Sequence, residues 1–278
     1  MLQLKDRLSF FYVQRGALAV IDGCLVLTDS EDRTQYEVPA RATTCIMVGP
    51  GTAVTTEAVR LAAAYGVLVV WVGEHGVRCY SAGRPWGDNI EWLDKQVKCY
   101  SDATLALKVA REMFYRRFGV RMEKRSLEQL RGIEGARVRE LYKLKAQEYR
   151  IPWSGRRYIP GNPFGETDAP NLALNVANTC LYGLVETAVL AAGMSPALGF
   201  IHKGDRLSFV LDIADLYKME HTVPLAFRLV AQKGDGAKPW RTLEMDVRRA
   251  CRDYFKQSKL LDRIVDDMTS LIDAGLGA

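Results

Sequence analysis

Apolar and polar positions alternate through the first part of the chain, then change period. Residues 8–13 are an aromatic and β-branched run. Residues 17–21 and 24–28 flank Asp22 and Gly23, a pair that favours a tight hairpin turn. Residues 35–38 and 44–48 continue the strand pattern. Gly49, Pro50 and Gly51 read as a turn, because no Gly-Lys-Ser/Thr follows as a phosphate loop requires. One helix interrupts the strands: Thr55 or Thr56 can cap it, residues 58–64 favour helix, and Gly66 closes it. Strands resume over 67–72 and 77–80.

The period turns helical near residues 81–85. The expectation is an α+β fold, with a β-rich N-terminal domain over 1–84 and an α-helical domain over 85–278. Helices are expected over 89–100 and from Asp102 to Phe118, stopping at Gly119. A third starts at Ser126, whose spacing to Gln129 fits a capping box, and continues to about residue 149. It contains Gly132 and Gly135 around Glu134. Each glycine costs a helix about 1 kcal/mol relative to alanine, so a kink, a break or a close approach to the backbone is expected. A Gly- and Pro-rich loop over 150–166 carries Trp153, Arg156, Arg157 and Tyr158. Cations among aromatics suit single-stranded or frayed nucleic acid, and equally a solvated loop anchored by one Trp. A strongly apolar helix over 172–192 belongs in the core. Helices over 224–231, 243–255 and 259–273 close the chain.

Composition narrows the picture little. The chain has 278 residues, 48% hydrophobic and 26% charged, with a formal charge of +5. That charge permits a polyanionic partner without demanding one. Arg248, Arg249, Arg252, Lys256 and Lys259 form a basic stripe, which serves either as a solvated face or as a phosphate track. Six scattered cysteines without a C-x-x-C pair point to reduced thiols and a cytoplasmic location. No signal peptide opens the chain, and its apolar runs read as too short or too interrupted to span a bilayer.

The acids Asp212 and Asp215 are the unusual feature. They lie among Val210, Leu211, Ile213, Ala214 and Leu216, just after His202. A carboxylate in apolar sequence needs a partner. Helix capping is one answer, with Asp212 as N-cap and Asp215 in the first turn. A divalent site is the other, since hard oxygens with one imidazole suit magnesium or manganese better than zinc. His75 reads as an exposed turn residue and His221 as a capping or surface residue. With three histidines in the chain, a multi-histidine zinc centre is not expected. There is no G-x-S-x-G elbow and no H-E-x-x-H.

Residues 130–138 around Glu134, 199–202 ending in His202, and 207–215 with Asp212 and Asp215 follow one another in an order that resembles a known family. It is the CRISPR-associated endonuclease that acts as integrase of the spacer-acquisition complex, and the likeness is to its subtype I-E branch. Residues 4–7, 20–23, 58–62, 70–73, 153–158 and 250–253 extend the resemblance along nearly the whole chain. It implies that the α-helical domain over 85–278 is the catalytic one. It implies metal ligation by Glu134, His202 and Asp215, with Asp212 in support, and magnesium or manganese as the cofactor. It implies transesterification, in which the 3′-OH of a captured foreign DNA fragment attacks the CRISPR repeat. The DNA partner would be duplex with single-stranded 3′ ends. The resemblance also implies a homodimer that joins a small second adaptation protein. Arg78, Arg131, Tyr158 and Tyr182 stand at positions that line or approach DNA in similar proteins, and Arg156 and Arg157 would help to hold each DNA end. Arg15 stands where close relatives carry a wedging aromatic, Leu211 replaces an aromatic, and Asp205 and Arg206 replace a basic residue and a proline. A stand-alone nuclease for branched DNA and a non-catalytic DNA scaffold are the competing readings.

Overall fold

The computed structural model describes residues 9–76, 78–83, 90–157, 168–233 and 240–277. The N-terminal part runs β1 (Ser9–Val13), β2 (Gly16–Ile21), β3 (Cys24–Asp29), β4 (Gln35–Val38), β5 (Thr43–Val48), β6 (Thr52–Val54), α1 (Thr56–Ala64), β7 (Leu68–Val72) and β8 (Cys79–Ala82). One sheet has the order β4-β3-β2-β6, the other β1-β5-β7-β8. Ile21 pairs with Cys24, so the β2–β3 hairpin closes over Asp22 and Gly23 as the sequence predicts. Thr55 caps α1, its side chain accepting from the Ala58 amide.

The two-residue period of β5 and β7 decides how the halves join. Side chains alternate between faces. Ile46, Val48 and Val69 enter a small core with Leu18, Leu25 and Ala58. Cys45, Met47, Leu68, Val70 and Val72 enter the large core of the helical body. β5 is buried throughout, as a strand covered on both faces must be. The expected division at 84/85 falls among residues 84–89, outside the described residues.

The helical body contains α2 (Glu91–Ser101), α3 (Ala103–Phe118), α4 (Leu127–Glu148), α5 (Ala169–Ala191), α6 (Ser208–Ala214), α7 (Val223–Lys233), α8 (Trp240–Gln257) and α9 (Leu260–Leu276). Asp102 caps α3 through the amides of Thr104 and Leu105, and Gly119 ends it in the left-handed region. The capping box of Ser126 and Gln129 is formed at the start of α4. α5 is the axis: it packs on α6, α7, α8 and α9 and on β7 and β8. It has the length and apolarity of a membrane span, contrary to the reading of interrupted runs, but 83% of its most apolar stretch is buried inside the protein. Gly183 lies where α5 meets the backbone of Arg78, and a Cβ there would come 2.6 Å from the Arg78 nitrogen.

Two further expectations are corrected. α4 runs unbroken through Gly132 and Gly135, and a Cβ on either would meet nothing within 4 Å. Packing of α4 elsewhere, through Leu130, Tyr142 and Ala146, carries the helix past them. His221 is neither cap nor surface residue. It is 5% exposed, in a π-helical turn over Lys218–Thr222. Its Nδ1 lies 2.7 Å from the Tyr254 hydroxyl, and burial holds its pKa below the ordinary histidine value, against the pull of Glu220. His75 lies in a 3-10 turn, Glu74–Gly76.

Candidate active site

The site begins with a loop that cannot be satisfied by a ladder or a helix. Residues 192–207 carry the chain from the end of α5 to α6, with the irregular loop proper over 195–207. The backbone folds so tightly at Gly199 that a Cβ would come 2.6 Å from the His202 carbonyl oxygen and from the Ser208 carbonyl carbon. Glycine is the residue that fits. Buried backbone N–H groups in such a loop need acceptors. Asp212 supplies them: Oδ2 accepts from the amides of Phe200 at 2.5 Å and Ile201 at 2.9 Å, and Oδ1 accepts from the His202 amide at 2.8 Å.

This corrects the capping reading of both acids. α6 begins at Ser208, and its N-cap, Leu207, makes no side-chain cap bond. Asp212 lies within the helix and reaches back to the preceding loop, while Asp215 stands at the helix C-cap. Asp212 also fixes the imidazole, with Oδ1 2.7 Å from His202 Nδ1. That hydrogen bond, outweighing partial burial, raises the His202 pKa. With Nδ1 engaged, Nε2 is the ring nitrogen left for a ligand.

Asp215 meets different partners. Its side chain is 12% exposed, with Lys218 Nζ 2.5 Å from Oδ1 and Arg117 Nη1 3.6 Å from Oδ2. Burial pushes its pKa up, but Lys218 and Arg117 together outweigh burial and hold it below the usual carboxylate range. The same Arg117 nitrogen donates to Glu134 Oε1. Glu134 and Asp215, from α4 and the end of α6, are therefore neighbours across one guanidinium. His202 is close enough to feel the charge of Asp215. Burial pushes the Lys218 pKa down, but the charge of Asp215, with the Tyr182 oxygen accepting from the ammonium, outweighs it and raises the pKa. Lys218 Nζ also stands 4.8 Å from the Tyr182 ring centroid.

Among the described residues, no three His, Cys, Asp or Glu side chains converge as they stand on one point fit for an ion. Arg117 and Lys218 occupy the carboxylates instead. The donor chemistry nevertheless fits a hard divalent ion: two carboxylates side by side and one imidazole held by its other nitrogen. Arg117 marks where positive charge is favoured.

The expected DNA residues divide. Tyr182 lies at the acidic cluster, beside Lys218. Arg131 donates to the carbonyl of Ile201, next to His202, and so buttresses the loop. Arg156 holds its own loop to α5, with Nη1 3.0 Å from Asn171 Oδ1 and Nη2 2.6 Å from Asn175 Oδ1. Arg78 and Arg157 are exposed. Tyr158 lies outside the described residues. Arg15 lines a cleft of about 800 Å³ with Tyr12, Arg252, Lys256 and Lys259, apart from the acids. Sequence reasoning missed Arg117 and Lys218. Lys218 carried a weak signal, three residues beyond Asp215, but Arg117 carried none because α3 meets α4 and α6 only in the tertiary fold.

Comparison with known proteins agrees with the fold and extends along the chain. The family described as CRISPR associated protein Cas1 matches residues 11–121 and 119–238. A CRISPR-associated endonuclease Cas1 of Escherichia coli (strain K12) is 46% identical over 273 residues, covering 98% of this chain and 87% of that protein. One from Rhodospirillum rubrum is 46% identical over 277 residues, with 98% and 87% covered. Among solved structures, a TtCas1-DNA complex superposes with a TM-score of 0.84 at 38% identity, covering 98% of this chain and 99% of that one. A casposase bound to integration product shares the fold, with a TM-score of 0.57 at 15% identity. With full-length likeness in sequence and in fold, the chain belongs to the CRISPR-associated Cas1 family.

Proposed function

We propose that this protein is a divalent-metal-dependent DNA endonuclease and integrase, which inserts captured DNA fragments into a CRISPR repeat. The carrying observation is the meeting of Glu134 and Asp215 across Arg117, beside a His202 whose Nδ1 is fixed by Asp212. Family membership, the endonuclease name of the Escherichia coli relative and the DNA complex of the TtCas1 structure support it. Glu134, His202 and Asp215 would hold magnesium or manganese. The bound ion would polarise the phosphate and favour the attacking oxygen. Asp212 keeps the imidazole oriented and the His202 loop closed. Tyr182 and Lys218 stand at the edge of the acidic cluster, where a phosphate backbone would pass.

In the joining step the fragment's 3′-oxygen bonds to phosphorus. The repeat strand's own bridging oxygen leaves with a proton, as a new 3′-OH. One phosphodiester replaces another, so no external energy source is needed. With water as attacking group, the same site cleaves. Insertion of both fragment ends needs two sites, and a homodimer assembled with DNA and a small second adaptation protein would supply them. Such chemistry belongs in the cytoplasm, and the free thiols of all six cysteines suit that compartment.

The test is strand joining with purified protein, its partner and labelled fragment in magnesium or manganese. Glu134→Ala, His202→Ala and Asp215→Ala should each abolish joining while the circular dichroism spectrum stays that of the parent. Full activity in any two of them would remove these residues as ligands. Cleavage without joining, even with the partner present, would favour the stand-alone nuclease.

A further inference from the structure

Arg117 belongs to α3, away from the segments that carry the acids, yet its side chain is 7% exposed. A guanidinium so far from water needs anions fixed around it. It has two, Glu134 Oε1 by hydrogen bond and Asp215 Oδ2 at 3.6 Å. The Phe118 ring, with its centroid 5.1 Å from the guanidinium carbon, flanks it as well. Lys218 sits on the other oxygen of Asp215 at 2.5 Å. Two carboxylates thus face two cations, and the cluster is balanced without any ion. A divalent cation coming to the same oxygens adds two positive charges beside Arg117, in a setting that water screens poorly. Guanidinium and ion cannot both keep these contacts.

We propose that Arg117 is a positioning residue, a built-in counter-cation that holds Glu134 and Asp215 side by side, and that a divalent metal binds by displacing it. The inference rests on the ligand reading of Glu134, His202 and Asp215 given above. It has a definite consequence: Arg117 lowers the affinity for metal. A side chain that only supported the local fold would act in the opposite sense, since its removal would loosen the ligands and weaken binding.

The experiment titrates Mn²⁺ into the full-length, DNA-free protein by calorimetry, with melting curves at each Mn²⁺ concentration. Without metal, Arg117→Gln should melt below the parent, because two carboxylates are left facing each other. It should bind Mn²⁺ about tenfold more tightly, and Mn²⁺ should raise its melting temperature by more than it raises the parent's. Arg117→Lys keeps the charge but puts it on a flexible ammonium that lacks the planar, pre-organised guanidinium, and its affinity should fall between those of the parent and Arg117→Gln. Equal or weaker Mn²⁺ binding in folded Arg117→Gln overturns the inference. Should Arg117→Gln fail to fold, Arg117→Lys decides: binding tighter than the parent's sustains the proposal, and equal or weaker binding overturns it. Mn²⁺ binding by the parent that is absent, or unchanged in Glu134→Ala, overturns the ligand reading and this inference with it. Metal binding lost in Glu134→Ala but unaffected by Arg117 overturns this inference alone.

Discussion

In the sheet region Val13, Leu18, Leu25, Ile46 and Ala62 are buried against one another. Among the described residues, the buried polar side chains there are Thr43 and Thr44 of β5. In the helical body Gln96, Asn171, Asn178, Asp212, His221 and Thr222 are buried as deeply as the leucines around them. The contrast follows from how each part satisfies its backbone. Strands pair their amides with each other, so the small core is left to apolar packing. The helical body has irregular stretches that run partly buried, residues 199–201 among them, and side chains must take up the amides and carbonyls there. Gln96 does so at the start of the 195–207 loop, accepting from the Ser195 amide at 2.8 Å and donating to its carbonyl at 2.9 Å. Asp212 does so in its middle, at residues 200–202. Candidate chemistry has gathered where side chains rather than ladders hold the backbone.

Removing a loop-holding side chain should break this contrast most sharply. Asp212→Ala leaves three amides and the His202 ring without their acceptor. A loss of about 3 kcal/mol or more is expected, read by urea denaturation, with a smaller loss for Asp212→Asn, which keeps one carbonyl oxygen. A loss below about 1 kcal/mol for Asp212→Ala would mean that the loop finds other acceptors.

Next in size is the seam between the two regions. Gly183→Ala would press a methyl into the Arg78 backbone, at 2.6 Å from its nitrogen. Backbone yields less readily than a side-chain tip, so a loss of about 1–3 kcal/mol is expected. Hydrogen exchange should quicken at β8 and the middle of α5 before it quickens at β2 and β3. Uniform quickening would show that the halves do not separate at this seam.

The smallest effect sharpens the contrast through pH. The folded-state pKa of His221 lies below its unfolded value because burial disfavours the charged ring. Its contribution is fully present above the unfolded value of about 6.5. As pH falls through that value the unfolded chain takes up a proton that the folded chain resists, so stability declines until the folded-state pKa is reached. Denaturation curves at pH 7 and at lower pH should converge in His221→Gln relative to the parent. An acid loss of equal size in both would assign it to other groups.

Much of the fold was legible because its signals are local. Thr55, Asp102 and Ser126 cap helices through amides two or three residues away, and such spacings can be read directly from the sequence. The strand period likewise foretold the β2–β3 pairing. The site was legible in part. Glu134, His202, Asp212 and Asp215 were named as a set through a family resemblance, and the fold brings them into one neighbourhood. Their protein partners were not legible. A local view offered capping as one role for Asp212, whereas its acceptors serve residues 200–202 across a loop. Nothing in the sequence signalled that Arg156 is held by Asn171 and Asn175, whose shared face on α5 becomes a clamp only once the loop folds over it.

The sequence by itself determined most of the element order, though not β6, and it determined the caps of α1, α3 and α4, the hairpin and the presence of acids that apolar neighbours could not satisfy. Tertiary structure alone decided which group answers each charge. Asp212 and Asp215 lie three residues apart on nearly the same helical turn, yet one faces backbone amides and the other faces Arg117 and Lys218. Local spacing fixes the face on which a side chain stands. The charge it meets there comes from whatever chain the fold packs against that face, and electrostatic energy depends on distance through space rather than along the sequence.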